Sequence, residues 1–422
     1  MEITVYRPNQ IGGCITEIES AGRTRIIIDI GSNLPNMPET EGEIDMSALT
    51  KGCDGVFITH YHGDHIGEFP DVDENVPIYM GKMAHEIFLN LCKFRRERNI
   101  ERVKGFQTFS KGDKITVGDM VVTPYRVDHS AYDSYMFLIE CDGKRILHSG
   151  DFRTHGWTGK GVPALLEHYV RKVDVLICEG TMLRGVRESD EIYTEHDLYN
   201  DAKMLMQSNK NVFVMCSSTN IDSLASFYKA AIETGKIIVA DNYQASNLEI
   251  VTNQAKSDPF VTSLYNFKKR TLYTYKPNNT KLHNLMLDKG FCMFIRATPF
   301  FDEPLHRFAN NDNNLLIYSM WEGYLQENKH YTDHKLIAFL KMAKENGCRV
   351  VNKHTSGHAY GQSIVDVCKI IDPDIIFPIH SENTGRFEEL ARDGKINGIV
   401  RRLKHGVAVD PMNIIEEEHR HD

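Results

Sequence analysis

The stretch FITHYHGDHIGE, residues 57–68, crowds three histidines and an aspartate into six positions directly behind a short apolar run. His60, His62, Asp64 and His65 are metal-competent and a poor choice for filling a core. Either they form a histidine-rich loop in water, or they are part of a metal site whose other ligands come from elsewhere in the chain. The apolar run GVFITH has the character of a buried strand delivering a functional loop at its carboxyl end. On extended chain, alternate residues point the same way, so His60 and His62 can grip one ion together. Gly63 lets the chain turn and present Asp64 and His65 to a second ion. A catalytic cation of the zinc type takes three or four N and O ligands and keeps one position open to water. Four ligands in six residues therefore cannot complete a two-metal site. Further histidines at strand ends and a bridging carboxylate are required.

Three segments meet that demand. VDHSAYDSYMF places His129 after a strand-like run, ILHSGDFR sets Asp151 behind an apolar strand and a glycine, and FPIHSE ends another strand with His380. A lone histidine after a strand is more often a hydrogen-bonded structural residue, so none of these stands alone. With HxHxDH they make one pattern, because a single architecture needs all of them.

At 422 residues the chain is too long for one ordinary core, which predicts two domains or one domain with a large insertion. Its 41% hydrophobic and 25% charged content are those of a soluble globular protein, and no stretch approaches the roughly 18 apolar residues of a membrane helix. The opening MEITVYRPNQ lacks a basic segment followed by an apolar one, so no secretion signal and no membrane partner are expected. Nine scattered cysteines without a CxxC pair fit a reducing cytoplasm better than a disulfide framework. The net charge of −9 argues against indiscriminate nucleic-acid binding. Even so, KFRRER at 93–98, FKKR at 267–270 and VRRLKH at 400–405 can each contact phosphates; the plain alternative is a solvated helix or strand edge.

The first segments, EITVYR, GGCITEIES and TRIIIDIG, read as strands joined by turns. Residues 82–103 have helical spacing, with Met83, Ile87, Leu91 and Phe94 on one face. Strands follow at KITVGDMVVTPYRV, SYMFLIEC, KRILHSGD and VDVLICEG. From about 192 the rhythm becomes strand–helix–strand, through NVFVMCSS, KIIVADNY, FCMFIRA and NLLIYSMW, which implies a parallel sheet with helices on its faces. A helix is expected at about 333–346 and another at 360–371. The charged tail EEEHRHD is expected to fray.

THYHGDHIGE, DHSAYDS and HSGDFR resemble successive motifs of the metallo-β-lactamase fold. More narrowly, HTSGHAYGQ followed by FPIHSE resembles the closing motifs of its β-CASP branch, with the nearest likeness to the ribonuclease J group. HxHxDH alone marks the superfamily; the SGHA and PIH pair is the specific part. The resemblance implies an α/β fold: an αββα metallo-β-lactamase sandwich at 1–191 and 346–422, with an inserted α/β β-CASP domain at 192–345. It further implies that His60, His62 and His129 hold one divalent ion, that Asp64, His65 and His380 hold the other, and that Asp151 bridges them. His358 in SGHA becomes the acid that protonates the leaving 3′ oxygen, oriented by Glu179 in ICEGT; read without the resemblance, Glu179 is an ordinary carboxylate after a strand. Asp64 is also well placed to take the proton of the attacking water. HTSGHA offers exposed N–H groups ahead of a helix, a natural phosphate cradle, and the resemblance makes His354, Ser356 and Gly357 phosphate contacts. The CSSTN turn at 216–220 enters its helix similarly and can be a cap and nothing more.

The leading expectation is a cytoplasmic, metal-dependent ribonuclease with RNA in the cleft between its two domains. The alternative is a hydrolase of the same fold acting on DNA, a nucleotide or a small-molecule ester, thioester or lactone. A third reading, a non-catalytic nucleic-acid-binding relative, sits poorly with a full set of ligand positions. Zinc is the expected metal, with manganese open, because availability often decides between them at mixed N/O sites. The chain ends near 422, without the extra C-terminal domain common in bacterial members, and this leaves homodimerisation and substrate grip open. Ser381 stands where the family usually has glycine, next to the His380 ligand position.

Overall fold

The computed structural model of the chain describes residues 1–34, 41–183, 192–254, 259–267, 271–308, 314–327 and 331–418. They form two units: Met1–Leu89, Arg98–Ile192 and Gly357–Asp422 make the first, Asn90–Glu97 and Tyr193–Ser356 the second.

Two sheets face each other in the first unit. One has six strands in the order Glu2–Tyr6, Ile15–Glu19, Arg25–Ile28, Gly55–Ile58, Ile78–Gly81 and Gln107–Phe109. Its first three strands are antiparallel, and the rest join in parallel. The other has seven strands, with Val175–Glu179 between Ile375–Ile379 and Lys144–His148, both parallel to it. Alternation along SYMFLIEC explains its unbroken apolar character. Phe137 and Ile139 point into the layer shared with Phe57 of the first sheet, while Met136 and Leu138 point the other way, onto the helix Gly361–Ile371. Between the sheets Phe57 stacks on Tyr79 at 4.6 Å and meets Phe137 edge-on at 5.8 Å. The fully buried Phe57 and Phe137 rings each contribute on the order of 1.5–3 kcal/mol.

The second unit is built on a six-stranded parallel sheet, ordered Leu272–Thr274, Ile237–Ala240, Phe291–Ile295, Asn211–Cys216, Asn314–Ser319 and Arg349–Asn352. Its three central strands are buried along their whole length, as helices covering both faces of a parallel sheet require.

Three expectations change in detail. The second boundary falls at 356/357 instead of 345/346, because Arg349–Asn352 pairs with Asn314–Ser319 and so extends the sheet of the second unit. The segment KITVGDMVVTPYRV is two strands, turned at Gly118 with φ 55°. The helix expected over 82–103 ends at Arg95, where Arg96 takes φ 56°, and a short separate helix follows at Ile100–Lys104. Its buried stripe is Ala84, Ile87, Phe88 and Cys92, leaving Phe94 exposed. Of the basic segments, Lys93, Arg95, Arg96, Arg401, Arg402 and Lys404 are exposed, while 268–270 lie outside the described residues, as do 419–422 of the tail. Among the described residues no helix is long and apolar enough to cross a membrane.

Candidate metal centre

Six strands of the first unit end near one another, and the residues that follow their carboxyl ends carry the chemistry. Arg25–Ile28 leads to Asp29, Gly55–Ile58 to His60, Met120–Val127 to His129, Lys144–His148 to Asp151 and Ile375–Ile379 to His380, while Val175–Glu179 ends on Glu179 itself. His62 stays extended (φ −68°, ψ 148°) and caps the short helix Gly63–Ile66, whose second and third residues are Asp64 and His65. Gly150, with φ 50°, turns the chain into Asp151; a Cβ there would lie 2.7 Å from the Tyr135 carbonyl oxygen.

The seven residues expected as ligands converge. His60, His62 and His129 form one group, Asp64, His65 and His380 another, and Asp151 joins His60 and His65 in a third; the ligand atoms of each group lie within 4.8 Å of one another. Asp151 is central, with Oδ2 3.1 Å from His65 Nε2 and 3.9 Å from His60 Nε2, and Oδ1 3.7 Å from His380 Nδ1. His60, His65, His129, Asp151 and His380 are buried, whereas His62, Asp64 and His358 keep partial exposure and form the open side.

Hydrogen bonds around the cluster aim the imidazoles. The Thr59 hydroxyl donates to Asp29 Oδ2 at 2.7 Å, so it accepts from His60 Nδ1 at 3.0 Å. His65 Nδ1 donates to the same Asp29 oxygen at 2.8 Å, and His129 Nδ1 donates to the Gly357 carbonyl at 2.5 Å. Each anchor leaves Nε2 bare and turned toward the cluster. His60 Nε2 and His129 Nε2 therefore face His62 Nδ1 at 3.1 and 3.3 Å, a meeting of ring nitrogens that a cation relieves. His65 Nε2 is buried 3.1 Å from Asp151 Oδ2, with no aligned hydrogen bond among the described residues. His380 is different: Nδ1 pairs with the Thr181 hydroxyl at 2.9 Å, Nε2 accepts from Gly12 N–H at 3.2 Å, and its backbone is left-handed at φ 48°.

The electrostatics suit a divalent cation. Burial holds the His60 and His129 imidazoles well below their ordinary range and His62 at about 4, the neutral form in which a ring nitrogen can ligate. Burial by itself raises Asp151, but the surrounding His380, His65 and His358 outweigh it and hold the carboxyl well below the usual range. Five imidazoles and two carboxylates make a mixed N/O donor set of the kind zinc and its neighbours prefer.

His358 Nδ1 lies 3.1 Å from Glu179 Oε2 and 3.5 Å from Asp151 Oδ2. Burial lowers its imidazole, yet the charges of Glu179 and Asp151 overcome this and carry it up to about 9. Glu179 is itself fully buried and held by the backbone N–H groups of Phe152 (3.0 Å), Thr181 and Ala359 (both 3.4 Å). A Cβ on Gly357 would approach Ser130 Oγ to 2.6 Å, so only glycine brings this turn so close to His129.

Residues 24–205 match the family model of the β-lactamase superfamily domain, and residues 347–400 match that of the Zn-dependent metallo-hydrolase RNA specificity domain. The ribonuclease J of Sinorhizobium meliloti is 23% identical over 94% of this chain and 71% of its own length. The ribonuclease J of Helicobacter pylori is 25% identical over 88% of this chain and 54% of its own length, and that of Mycobacterium tuberculosis 27% over 54% and 42%. The chain carries a β-lactamase superfamily domain and an RNA-specificity metallo-hydrolase domain, and it is a ribonuclease J-like β-CASP protein. This ribonuclease J-like chain spans about half the length of the Helicobacter and Mycobacterium relatives. It also shares its fold with a solved protein of unknown function from Enterococcus faecalis, with a TM-score of 0.72, 19% identity, and 97% and 99% of the two chains covered.

Several contributors to the site of this ribonuclease J-like chain escape a reading of the sequence. Asp29 fixes both Thr59, through its N–H and hydroxyl, and His65, yet in TRIIIDIG it looks like the end of an ordinary strand. Its left-handed backbone, φ 59°, comes from tertiary context. Asp128 and Arg153, fully buried and 2.6 Å apart, tie the residue before His129 to the strand end that carries Asp151. Removing one partner of such a pair costs about 3–5 kcal/mol. The signal the sequence offers is a charged residue close to two of the ligand positions, Asp128 beside His129 and Arg153 near Asp151. Of the residues expected to contact phosphate, Gly357 opens the last segment of the first unit, while His354 and Ser356 stand at the end of the second.

Proposed function

We propose that the chain is a ribonuclease that hydrolyses RNA phosphodiester bonds with two divalent cations, zinc or manganese. The observation that carries this reading is the convergence of seven imidazole and carboxylate side chains from separate strand ends, three of them with Nδ1 anchored and Nε2 bare. His60, His62 and His129 would hold one cation and Asp64, His65 and His380 the other, with Asp151 shared. Cations bound there supply water activated at neutral pH and neutralise charge on a phosphate oxygen. Asp64, partly exposed, accepts the proton of the attacking water. His358, oriented through Nδ1 by Glu179, holds at Nε2 the proton that goes to the leaving 3′ oxygen. His354, Ser356 and Gly357 contact phosphate, as the ribonuclease J likeness implies. All nine cysteines are buried and free of disulfides, which supports a reducing, cytoplasmic setting.

The test is a nuclease panel. The chain, stripped with chelator and given zinc or manganese, is incubated with labelled RNA and with DNA of the same sequence, carrying monophosphate, triphosphate or hydroxyl 5′ ends. Metal-dependent cleavage of RNA in preference to DNA is expected. Equal cleavage of both would make it a general nuclease, and no cleavage of either polymer with either metal would remove the reading.

A further inference from the structure

The end of the helix Lys82–Arg95 carries a feature that the metal centre does not use. Residues 90–97 group with the second unit, and Asn90 pins them there. Its side-chain N–H donates to Asn247 Oδ1 at 2.7 Å, its Oδ1 accepts from Ser246 Oγ at 3.2 Å, and Asn247 in turn donates to the Ser218 carbonyl at 3.0 Å. One turn further on, Phe94 lies flat against Tyr243, with ring centroids 4.3 Å apart and planes 14° from parallel. Arg296, on the residue after the strand Phe291–Ile295, brings its guanidinium carbon to 4.8 Å from the Phe94 centroid and 5.3 Å from that of Tyr243. An ion pair with Asp241 holds it there.

Tyr243 is buried, but Phe94 is 50% exposed, which matches one face covered by Tyr243 and the other open to water. A phenylalanine left so exposed forgoes much of its burial energy. It is also rigid, because the stack, the guanidinium and the Asn90 anchor all restrain it. Lys93, Arg95 and Arg96 are exposed on either side. In a chain with a net charge of −9, three exposed cations beside Phe94 in sequence, none in an ion pair among the described residues, are a local departure that fits a polyanion bearing flat rings. An apolar protein surface would match the ring but would leave those cations without counter-charges.

We propose that Phe94, backed by Tyr243 and Arg296 and flanked by Lys93, Arg95 and Arg96, is a stacking platform for a base of single-stranded RNA. The choice of RNA rests on the ribonuclease reading. The platform accepts any base, because every base has a π-face, and the cations hold the neighbouring phosphates.

The experiment measures Kd for the metal-loaded full chain with a short nuclease-resistant phosphorothioate RNA, and with the same backbone lacking its bases. Phe94→Ala is expected to weaken binding of the base-bearing strand by about tenfold and that of the abasic strand by less than about twofold. Phe94→Trp is expected to retain wild-type affinity. The triple change Lys93→Ala, Arg95→Ala and Arg96→Ala is expected to weaken both strands alike and flatten the salt dependence. The platform falls if Phe94→Ala binds base-bearing RNA as wild type does, or loses both strands equally. It also falls if sedimentation finds a wild-type dimer that Phe94→Ala dissociates without touching RNA affinity, which would make the patch an interface between copies. A wild-type chain that cuts RNA while Phe94→Ala is indistinguishable from it removes the platform alone. One that neither binds nor cuts RNA removes the ribonuclease reading, and the platform with it.

Discussion

The carboxyl ends of the strands hold polar residues in both units, and the two units treat them differently. In the first unit they are charged or chargeable, and nearly every one has a fixed partner. Asp29 takes Thr59 and His65, Glu179 takes His358 and three backbone N–H groups, and Asp128 takes Arg153. In the second unit the charged strand-end pair, Asp241 and Arg296, is likewise joined, but neutral groups are left over: among the described residues both ends of the Gln244 amide and the hydroxyls of Ser218 and Ser319 are buried without a hydrogen-bond partner. The difference follows from magnitudes. A neutral hydroxyl or amide left unpaired costs about 1–3 kcal/mol, which a large core can carry. An isolated buried carboxylate costs far more, so charged groups persist inside only with partners or with a cation. In the first unit His65 Nε2, 3.1 Å from Asp151 Oδ2 but without an aligned hydrogen bond among the described residues, lies where a cation would sit.

Five substitutions probe this contrast, beginning with the most severe. Asp64→Ala and His65→Ala, each alone, should take RNA hydrolysis below detection while circular dichroism reports a folded chain; turnover at the wild-type rate by either would break the account of the first unit. His358→Ala should slow the chemical step by roughly 10²–10⁴ in single-turnover assays. Loss of RNA affinity with an unchanged chemical step would instead make it a binding residue. Asp29→Asn should weaken zinc binding by about 10–100-fold, read by competition with a chromophoric chelator, because it disturbs the anchor that aims His65. Unchanged affinity would show that the carboxylate does not set the ring. The smallest effect belongs to the second unit: Gln244→Met should raise the denaturation midpoint by about 1 kcal/mol of stability, since it removes an unpaired amide. A drop of similar size would mean that the amide is paired in solution.

The legible part of the site was the part in which ligands lie close together in sequence. HxHxDH carries four candidates in six residues, and His129, Asp151 and His380 each follow an apolar run that reads as a strand. Glu179 and His358 became legible through the motifs of the β-CASP branch. Asp29 was invisible because its role is a hydrogen bond to a residue 36 positions away. The helix face was misjudged for a related reason. Met83, Leu91 and Phe94 satisfy helical spacing, but the neighbours that the fold supplies bury Ala84, Phe88 and Cys92 instead. The boundary at 356/357 depended on which sheet claims Arg349–Asn352, and an apolar strand does not name its partner.

By itself, then, the order of residues determined which side chains are able to coordinate a cation and that most of them stand at strand ends, since donor chemistry and hydrophobic periodicity are local properties. Tertiary structure alone decided which of them meet, which ring nitrogen each presents, and that Phe94 faces water. Those outcomes depend on distances between segments tens to hundreds of positions apart, and such distances are set by sheet pairing and packing.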